Sequence, residues 1–227
     1  MSIAVIIVAA GRGHRLGGEI PKQYLEVGQF SILRRSVDAM LAANNVTTVV
    51  SVIHPDDQDL YDKAMREITD TRVMAPVYGG ATRAQSVLSG LEALAGNAPQ
   101  YVLIHDAARP FVPTEVTNAV ADALATSEGA VAALPIVDAL WREAEGQAET
   151  HVERNGLWRA QTPQGFRFES ILAAHRAHDG TAADDVAVAR EAGMAVALVH
   201  GSEQNYKITT QNDLLRARRE VEGGDFT

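Results

Sequence analysis

The sequence predicts an α/β fold with a doubly wound, mostly parallel sheet, and residues 1–227 are expected to form a single domain. Continuous apolar runs such as IAVIIV, at residues 3–8, are typical of strands that are buried on both faces. Segments with helical spacing separate these runs, as crossover helices do in a parallel sheet. Apolar residues make up 46% of the chain, which is enough for a full core.

The expected elements alternate over the first part of the chain. After the first strand we predict a helix at 31–43, a β-branched strand at 47–54, an exposed helix at 56–68 and a strand at 73–78. A helix at 82–94 begins with Thr82 and Gln85 at capping-box spacing. A strand at 101–106, a helix at 114–127 and a strand at 130–137 follow.

The alternation stops between Asp138 and Gln161, where the chain reads DALWREAEGQAETHVERNGLWRAQ. Trp141 and Trp158 flank an acidic turn that contains glycine, which indicates a protruding hairpin. Because two tryptophans on a solvent-exposed arm would leave a large apolar area uncovered, we expect this arm, about 138–161, to form a homodimer contact. An ordinary surface excursion is the alternative. Beyond the arm we expect helices at 168–178 and 184–192, a strand at 195–201, the segment NYKITT at 205–210 and a final amphipathic helix.

The composition argues against disulfide-bonded, membrane-spanning, secreted and nucleic-acid-binding proteins. The chain has no cysteine, which excludes disulfides, thiolate nucleophiles and cysteine-ligated zinc, and which suits a reducing cytoplasm. The sequence shows neither an apolar run of membrane-spanning length nor the basic flank of a signal peptide. A net charge of −9 argues against a nucleic-acid partner, since duplex binding depends on clustered Lys and Arg. We therefore expect a cytoplasmic protein that binds small molecules, with no nucleic acid and no membrane as partner.

The stretch VIIVAAGRGHRLGGEIPKQYL, residues 5–25, contains the end of the first strand and then a glycine-rich loop that is locally basic. It holds three cations, Arg12, Arg15 and Lys22, against a single acid, Glu19. It follows the first strand, and the ligands of open α/β sheets bind at the carboxyl ends of strands. The loop matches neither the dinucleotide fingerprint nor the Walker motif. It therefore predicts a site for another phosphate-bearing ligand, and a flexible turn with solvated charges is the alternative.

Five segments resemble, in order, the motifs of one enzyme family. They are AAGRGHRLGGEIPKQYL, GGATRAQSV, HDAARPFV, RNGLWRAQTPQGF and NYKITT, and together they extend over nearly the whole chain. They are similar to the motifs of the cytidylyltransferases that act on 2-C-methyl-D-erythritol 4-phosphate in the non-mevalonate isoprenoid pathway. The resemblance implies a Rossmann-like nucleotidyltransferase fold. It also implies a reaction in which the acceptor phosphate attacks the α-phosphorus of CTP and expels pyrophosphate.

The resemblance further assigns residues to roles. The catalytic residues would be Arg15, Lys22 and Lys207, with Lys22 at the α-phosphate, Arg15 at the leaving phosphates and Lys207 on the side opposite Lys22. The implied CTP-binding residues are Ala9, Ala10, Gly11, Gly13, Arg15, Lys22, Gly79, Gly80, Arg83, Ser86 and Asp106. The implied acceptor-binding residues are Asp106, Arg109, Arg154, Thr162 and Lys207. Asp106 would hold Mg²⁺, and Arg154 on the arm would complete the pocket of the other subunit.

Several of these residues also have simpler interpretations. Asp106 would otherwise cap a turn or pair with Arg109. His105 is expected to point to the opposite face of the strand and to be a core histidine. The GGATRAQSV segment, expected to place glycine backbone against the ligand and the Ser86 hydroxyl at the base or ribose, is equally compatible with a turn before a capped helix. Lys207 would otherwise be a surface lysine on a strand.

The chain departs from the family pattern on the acceptor side. Ala139 and Trp141 stand where threonine and lysine are usual, and Ala183 stands where a threonine is common. A cytidylyltransferase for another polyol phosphate, such as ribitol 5-phosphate, is therefore the first alternative. A CTP-binding module without catalysis is the second. Since relatives occur fused to the cyclodiphosphate synthase of the same pathway, the chain is also compatible with one part of a bifunctional polypeptide.

Overall fold

A seven-stranded sheet runs through the centre of the structure, a computed structural model that describes residues 1–12 and 20–224. The strands are β1 (Ile3–Ala9), β2 (Glu26–Val27), β3 (Phe30–Ser31), β4 (Val46–Ile53), β5 (Val77–Tyr78), β6 (Tyr101–Asp106), β7 (Gly129–Pro135), β8 (Leu140–Ala144), β9 (Gln147–Val152), β10 (Trp158–Arg167) and β11 (Val196–His200). The helices are α1 (Ile32–Leu41), α2 (Gln58–Met65), α3 (Arg83–Leu94), α4 (Thr114–Ala123), α5 (Phe168–Ala177), α6 (Asp185–Glu191) and α7 (Gln211–Glu222).

The central sheet has the strand order β11-β7-β10-β6-β1-β4-β5. The pairs of β1 with β4 and β6, of β4 with β5 and of β11 with β7 are parallel. Only β10, among the described strands of this sheet, runs antiparallel to its neighbours β6 and β7. The prediction of a doubly wound, mostly parallel α/β fold is therefore confirmed.

Helices cover both faces of the sheet and bury its alternating side chains. One core cluster takes in Leu33 and Val37 of α1, Tyr61 of α2 and Val120 of α4. The cluster on the other face contains side chains of α3, α5 and α6, with Leu91 fully buried. A smaller third cluster joins α7 to the β2–β3 hairpin. Because both faces are covered, the strands read as continuous apolar runs in the sequence.

Short polar caps fix where the helices that border the site begin. The Thr82 hydroxyl accepts the backbone N–H of Gln85, and the Gln85 side chain accepts the N–H of Thr82 in return. This confirms the capping box expected at the start of α3. Thr210 and Asp213 form the same arrangement at the start of α7.

Several predicted elements are shorter than expected, and the helix predicted at 114–127, for example, ends at Ala123. The strand predicted at 73–78 is regular only over Val77–Tyr78, and Val73 makes an isolated bridge to Val49. Pro76 lies between them, and proline has no N–H to donate to a ladder. The helix predicted at 56–68 is confined to α2, and it buries Tyr61 and Met65, so that it is exposed on only part of its surface.

The arm is a hairpin of β8 and β9, with Leu140 paired to Val152. Its turn places Glu145 and Gly146 at positive φ. The predicted range 138–161 is too long at its end, because Trp158 already belongs to β10 and pairs with Pro135 of the central sheet. Only Trp141 lies on the hairpin, and its side chain is exposed.

Within the described residues, no helix combines the length and the apolar character that crossing a bilayer requires.

Candidate active site

A cavity of about 280 Å³ opens at the carboxyl ends of β1 and β6. The two strands are paired in parallel up to Val8 and Asp106, so their ends lie side by side. The cavity is lined by Val8, Ala9, Ala10, Gly11, Lys22, Gln23, Gly80, Ala81, Thr82, Arg83, Ser86, Asp106, Ala107, Ala108 and Lys207. This is the position at which open α/β sheets bind their ligands.

Most of the predicted site residues of the described chain converge on this cavity. Its lining includes Ala9, Ala10, Gly11, Lys22, Gly80, Arg83, Ser86, Asp106 and Lys207. Gly79, Arg109, Arg154 and Thr162 are not part of the lining. Gly13 and Arg15 lie outside the described residues.

Asp106 is the charge centre of the cavity. Its Oδ2 lies 2.6 Å from the Lys207 Nζ, and its Oδ1 lies 3.4 Å from the Arg83 Nε. Burial by itself would raise the pKa of the Asp106 carboxyl, but Arg83 and Lys207 outweigh burial and hold this pKa well below its usual range. Asp106 is therefore an anion at neutral pH. It pairs with Arg83 and Lys207, whereas the alternative interpretation of the sequence paired it with Arg109.

Lys22 enters the cavity from a short 3₁₀ turn, Lys22–Tyr24, that follows Pro21. Its ammonium donates to the backbone carbonyl of Ile208 at 2.8 Å. Lys22 thus contacts the residue that follows Lys207. We expected Lys207 on the side of the phosphates opposite Lys22, and this stays a prediction. We call the three cations that line the cavity, Lys22, Arg83 and Lys207, the basic wall. Lys207 also lies in an irregular segment before α7 and not on a strand.

Gln23 is a pocket residue that the sequence reasoning missed. Its side chain is buried, and its Nε2 donates to the carbonyls of Ala9 at 2.6 Å and Gly11 at 3.1 Å. It thereby fixes the backbone at the end of β1, where the glycine-rich loop begins. Periodicity gives no signal for such a contact, because it joins a loop side chain to backbone more than ten positions away.

Arg12 pairs with two aspartates of the protein, whereas the glycine-rich loop that contains it suggested a phosphate as its partner. Its guanidinium contacts Asp57 and Asp56 at 2.8 Å each, and Asp57 is buried. Both aspartates lie just before α2. This cation of the glycine-rich loop is therefore neutralised by protein acids and ties the loop to the end of β4.

The two glycines of GGATRAQSV are required by packing. A Cβ at Gly79 would lie 2.6 Å from both the Ala10 Cβ and the Ser86 Oγ, and a Cβ at Gly80 would lie 2.6 Å from the Gln85 Cβ. Gly79 was expected to contact the ligand, but the structure places it between Ala10 and Ser86 and outside the lining. The Ser86 hydroxyl donates to the Thr82 carbonyl at 2.9 Å, so only its acceptor capacity is available to a ligand.

Arg83 bridges two carboxylates from separate elements. Besides Asp106, it contacts Asp185 at the start of α6, with 2.8 Å between Nη2 and Oδ2. Burial would lower the pKa of Arg83, but Asp185 and Asp106 raise it above its usual value. Asp185 is itself buried and has His175 of α5 at 3.3 Å. The sequence reasoning did not find Asp185 or His175 as part of this site.

Thr162 was expected to contact the acceptor, but its hydroxyl is buried and already has two protein partners. It accepts the backbone N–H of Asp106 at 3.1 Å and contacts the His105 Nδ1 at 3.0 Å. The His105 Nε2 donates to the Arg109 carbonyl, and burial lowers the pKa of His105 to about 4. The ring is thus neutral with its proton on Nε2, so Thr162 donates to Nδ1. Thr162 and His105 therefore hold the end of β6, and His105 is a core histidine, as expected.

Arg109 lies outside the cavity lining and contacts the segment that carries Lys207, while its predicted role at the acceptor stays a prediction. Its Nη1 donates to the Asn205 carbonyl at 2.6 Å, and the Asn205 amide donates to the Thr162 carbonyl at 2.7 Å. The next segment is held to the site by the Ile208 N–H, which donates to the Ala108 carbonyl at 2.8 Å. These bonds fix the backbone on both sides of Lys207.

Arg154 lies in the loop that follows β9 and is exposed. Its guanidinium donates to the Val137 carbonyl at the base of the arm. It is not part of the lining of the cavity of its own chain, and its predicted role concerns another subunit.

The donor set is compatible with a magnesium ion that is held mainly by a nucleotide. Among the described residues, no group of three His, Cys, Asp or Glu side chains is placed to hold a metal, and the described lining contains one carboxylate, Asp106. Mg²⁺ commonly binds through one or two carboxylates together with substrate phosphates and water. Asp106 fits that role, although its Oδ2 is paired with Lys207.

The arrangement can bind and polarise a phosphate-rich ligand. Three cations, Lys22, Arg83 and Lys207, surround one acid in a partly enclosed cavity. Charged donors to phosphate oxygens give short, strong hydrogen bonds, and they act more strongly where water is excluded.

Comparisons with known proteins agree with this geometry. The family model described as IspD, 2-C-methyl-D-erythritol 4-phosphate cytidylyltransferase, matches residues 3–222. A 2-C-methyl-D-erythritol 4-phosphate cytidylyltransferase of Cereibacter sphaeroides is 49% identical over 219 residues, which are 96% of this chain and 96% of that protein. A bifunctional enzyme IspD/IspF of Rhodospirillum rubrum is 51% identical over 222 residues, 97% of this chain but only 57% of that protein.

A solved structure gives the same result. The crystal structure of 2-C-methyl-D-erythritol 4-phosphate cytidylyltransferase from Thermus thermophilus superposes with a TM-score of 0.78 at 31% identity and covers 98% of this chain and 100% of that one. The family match and the relatives extend over the whole seven-stranded sheet and the cavity. The chain therefore belongs to the 2-C-methyl-D-erythritol 4-phosphate cytidylyltransferase family.

Proposed function

We propose that this chain transfers CMP from CTP to 2-C-methyl-D-erythritol 4-phosphate, giving 4-diphosphocytidyl-2-C-methyl-D-erythritol and pyrophosphate. The observation that carries the proposal is the convergence of Lys22, Arg83, Asp106 and Lys207 on one cavity at the carboxyl ends of β1 and β6. Membership of the family supplies the identity of the two substrates.

The bond changes need no general base from the protein. An oxygen of the acceptor phosphate forms a bond to the α-phosphorus of CTP while the bond to the bridging oxygen breaks and its electrons leave with pyrophosphate. A phosphate is already a competent nucleophile near neutral pH, so the protein acts by positioning and by stabilising charge. The site is consistent with a reaction that uses no general base, because both ring nitrogens of His105 have protein partners and the Ser86 hydroxyl donates to a backbone carbonyl.

The basic wall then has two tasks. It lowers the repulsion between two anionic substrates, and it stabilises the negative charge that accumulates during transfer. We assign Lys22 and Lys207 to the reacting phosphates and Arg83, at the start of α3, to the nucleotide, and their common position in the cavity lining supports this assignment. We assign Arg15 to the leaving phosphates from the resemblance.

Magnesium is part of the proposal. When bound, Mg²⁺ would neutralise charge on the phosphate oxygens of CTP, and Asp106 would be its protein ligand. Asp106 would then exchange its pairing with Lys207 for the ion, which would free the Lys207 ammonium for phosphate.

The acceptor side is proposed to be completed by a second subunit. Arg154 is not part of the lining of the cavity of its own chain, and it lies in the loop just after the β8–β9 hairpin, on which Trp141 is exposed. A large apolar side chain on a protruding hairpin favours burial against another chain. We therefore propose a homodimer in which the arm brings Arg154 to the pocket of the partner.

The experiment that tests the function is a pyrophosphate-release assay with CTP, MgCl₂ and 2-C-methyl-D-erythritol 4-phosphate, with product mass confirmed by mass spectrometry. A parallel reaction with ribitol 5-phosphate examines the consequence of Ala139 and Ala183 on the acceptor side. Release only with methylerythritol phosphate is the expected result. Release only with ribitol phosphate would reassign the acceptor, and CTP binding without release from any acceptor would identify a binding module.

A further inference from the structure

The contact between Arg83 and Asp185 determines how the basic wall is held. Arg83 is the first residue of α3, and its guanidinium extends to Asp106 on β6 and to Asp185 on α6. The distance to Asp185 is 2.8 Å and the distance to Asp106 is 3.4 Å, so Asp185 is the closer partner. One side chain thus ties together three elements at the edge of the cavity.

Asp185 cannot act on a substrate directly. The residue is 0% exposed and is not part of the cavity lining. Among the described residues its carboxylate oxygens have no well-aligned hydrogen-bond donor, and the charge is balanced by the ion pair with Arg83. A buried carboxylate is costly unless it is paired, so the positions of Asp185 and Arg83 are strongly coupled.

The charges near the cavity also balance. Two acids, Asp106 and Asp185, face two bases, Arg83 and Lys207, in one chain of contacts that runs from buried Asp185 to part-exposed Lys207. Without the charge of Asp185, Asp106 would be the one carboxylate left in contact with Arg83 among residues 1–12 and 20–224. Arg83 and Lys207 would then compete for the Asp106 carboxylate, and the Arg83 guanidinium would no longer be held by α6.

We propose that Asp185 is a positioning residue for nucleotide binding, which holds the Arg83 guanidinium at the cavity wall and leaves Asp106 to Lys207 and the ligand. This inference rests on the proposed function in one respect, that CTP occupies the cavity. It assigns to a residue outside the pocket a measurable effect on CTP affinity.

The test is a double-mutant cycle of CTP affinity, measured by calorimetry in MgCl₂ with wild type, Asp185→Asn, Arg83→Gln and the double variant. Asp185→Asn removes the charge with almost no change of shape, and we expect it to weaken CTP binding by about tenfold, the low end of the loss seen when a group that orients a metal-binding side chain is removed. If Asp185 acts through Arg83, the double variant will bind CTP no more weakly than Arg83→Gln alone.

Asp184→Asn is the matched control. It makes the same chemical change one position earlier, and asparagine still caps α6, where Asp184 accepts the N–H of Ala187. CTP affinity close to wild type is expected for this variant. Thermal unfolding of each variant separates positioning from stability, because a purely structural role of Asp185 would lower the melting temperature and leave the affinity of the folded molecules unchanged.

A second variant covers the case in which Asp185→Asn does not fold. Arg83→Lys keeps the positive charge, but an ammonium cannot span two carboxylates as a guanidinium does. We expect Arg83→Lys to lose CTP affinity to nearly the same extent as Arg83→Gln. Wild-type affinity in Arg83→Lys would overturn the inference, as would additive effects in the cycle.

Failure of the proposed function has a different signature. A wild-type protein that binds CTP but releases no pyrophosphate contradicts the transferase reaction and leaves the affinity cycle intact as a test of Asp185. A wild-type protein that does not bind CTP at all overturns both proposals.

Discussion

Lys207 and Asp106, which are 101 positions apart in the chain, form an ion pair at the carboxyl end of β6, with 2.6 Å between the Lys207 Nζ and the Asp106 Oδ2. Two hydrogen bonds hold the segment on both sides of Lys207, from the Arg109 guanidinium to the Asn205 carbonyl and from the Ile208 N–H to the Ala108 carbonyl. The ion pair thereby connects the middle strand of the sheet to the segment that precedes α7.

Replacing Lys22 by alanine should abolish most of the activity and leave the fold intact. We expect turnover of CTP to fall by on the order of a hundredfold. Lys22 is one of the cations of the basic wall, and without it the negative charge that develops on the phosphates during transfer is less well stabilised. Pyrophosphate release at saturating substrates measures the effect. The control is Lys63→Ala, which removes an equal charge from the exposed surface of α2. Normal turnover in Lys22→Ala would contradict the assignment.

Replacing Asp106 by asparagine should change the response to magnesium. The MgCl₂ concentration for half-maximal pyrophosphate release is expected to rise by about tenfold, because a neutral amide is a weaker ligand for a hard cation than a carboxylate. The comparison is with Asp122→Asn, a change of the same charge on the exposed face of α4. If both variants need the same magnesium concentration as wild type, Asp106 is not the metal ligand.

Thr162→Val should destabilise the protein by about 1–3 kcal/mol, since it removes the hydroxyl that serves the Asp106 N–H and the His105 Nδ1, both of which are buried. Thr162→Ser keeps the hydroxyl and is expected to lose much less. Urea unfolding at pH 7 gives the free energy of unfolding of each variant. Equal stability of the valine and serine variants would show that the buried hydroxyl has no net effect.

Mixing two deficient variants should restore activity if the arm completes the pocket of its partner. Lys22→Ala lacks a residue of its own cavity, whereas Arg154→Ala lacks the residue proposed to come from the other chain. In a mixed dimer one of the two sites has both residues, so random reassociation should recover about a quarter of wild-type activity. Mass spectrometry of intact dimers confirms the mixing. Mixed dimers that stay inactive would place Arg154 outside the site.

Acid should weaken the cap of α7. Burial would raise the pKa of Asp213, but the backbone N–H groups of Thr209 and Thr210 and both threonine hydroxyls lower it below its usual value. Between the lowered native pKa and the ordinary value, the unfolded chain binds more protons. The stability from Asp213 is therefore complete above about pH 4 and is lost as the pH falls through the native pKa.

Urea unfolding from pH 7 down to pH 3, for wild type and Asp213→Asn, measures this contribution. The variant should show the smaller loss of stability with acid, because asparagine has no proton to gain. Parallel curves for the two proteins would show that Asp213 does not contribute to the acid dependence.

The amino-acid sequence determined the order of strands and helices, the capping box at Thr82 and the family. Each of these depends on local periodicity, on side chains a few positions apart or on motifs in a fixed order. The sequence also selected the cavity residues Lys22, Asp106 and Lys207 through their resemblance to the motifs of the family, and the end of a predicted parallel strand supported the choice of Asp106 alone. The activity, the magnesium ligand and the dimer stay proposals that the experiments above test.

The tertiary structure alone decided which partner each polar side chain has. It gave Arg83 to Asp185, Arg12 to Asp57 and the Thr162 hydroxyl to the end of β6, and it moved Trp158 from the arm to the central sheet. Hydrogen bonds and ion pairs act over about 3 Å, whereas these partners are tens of positions apart in the chain. Their pairing follows from how helices pack on the two faces of the sheet, and no local pattern in the sequence contains that information.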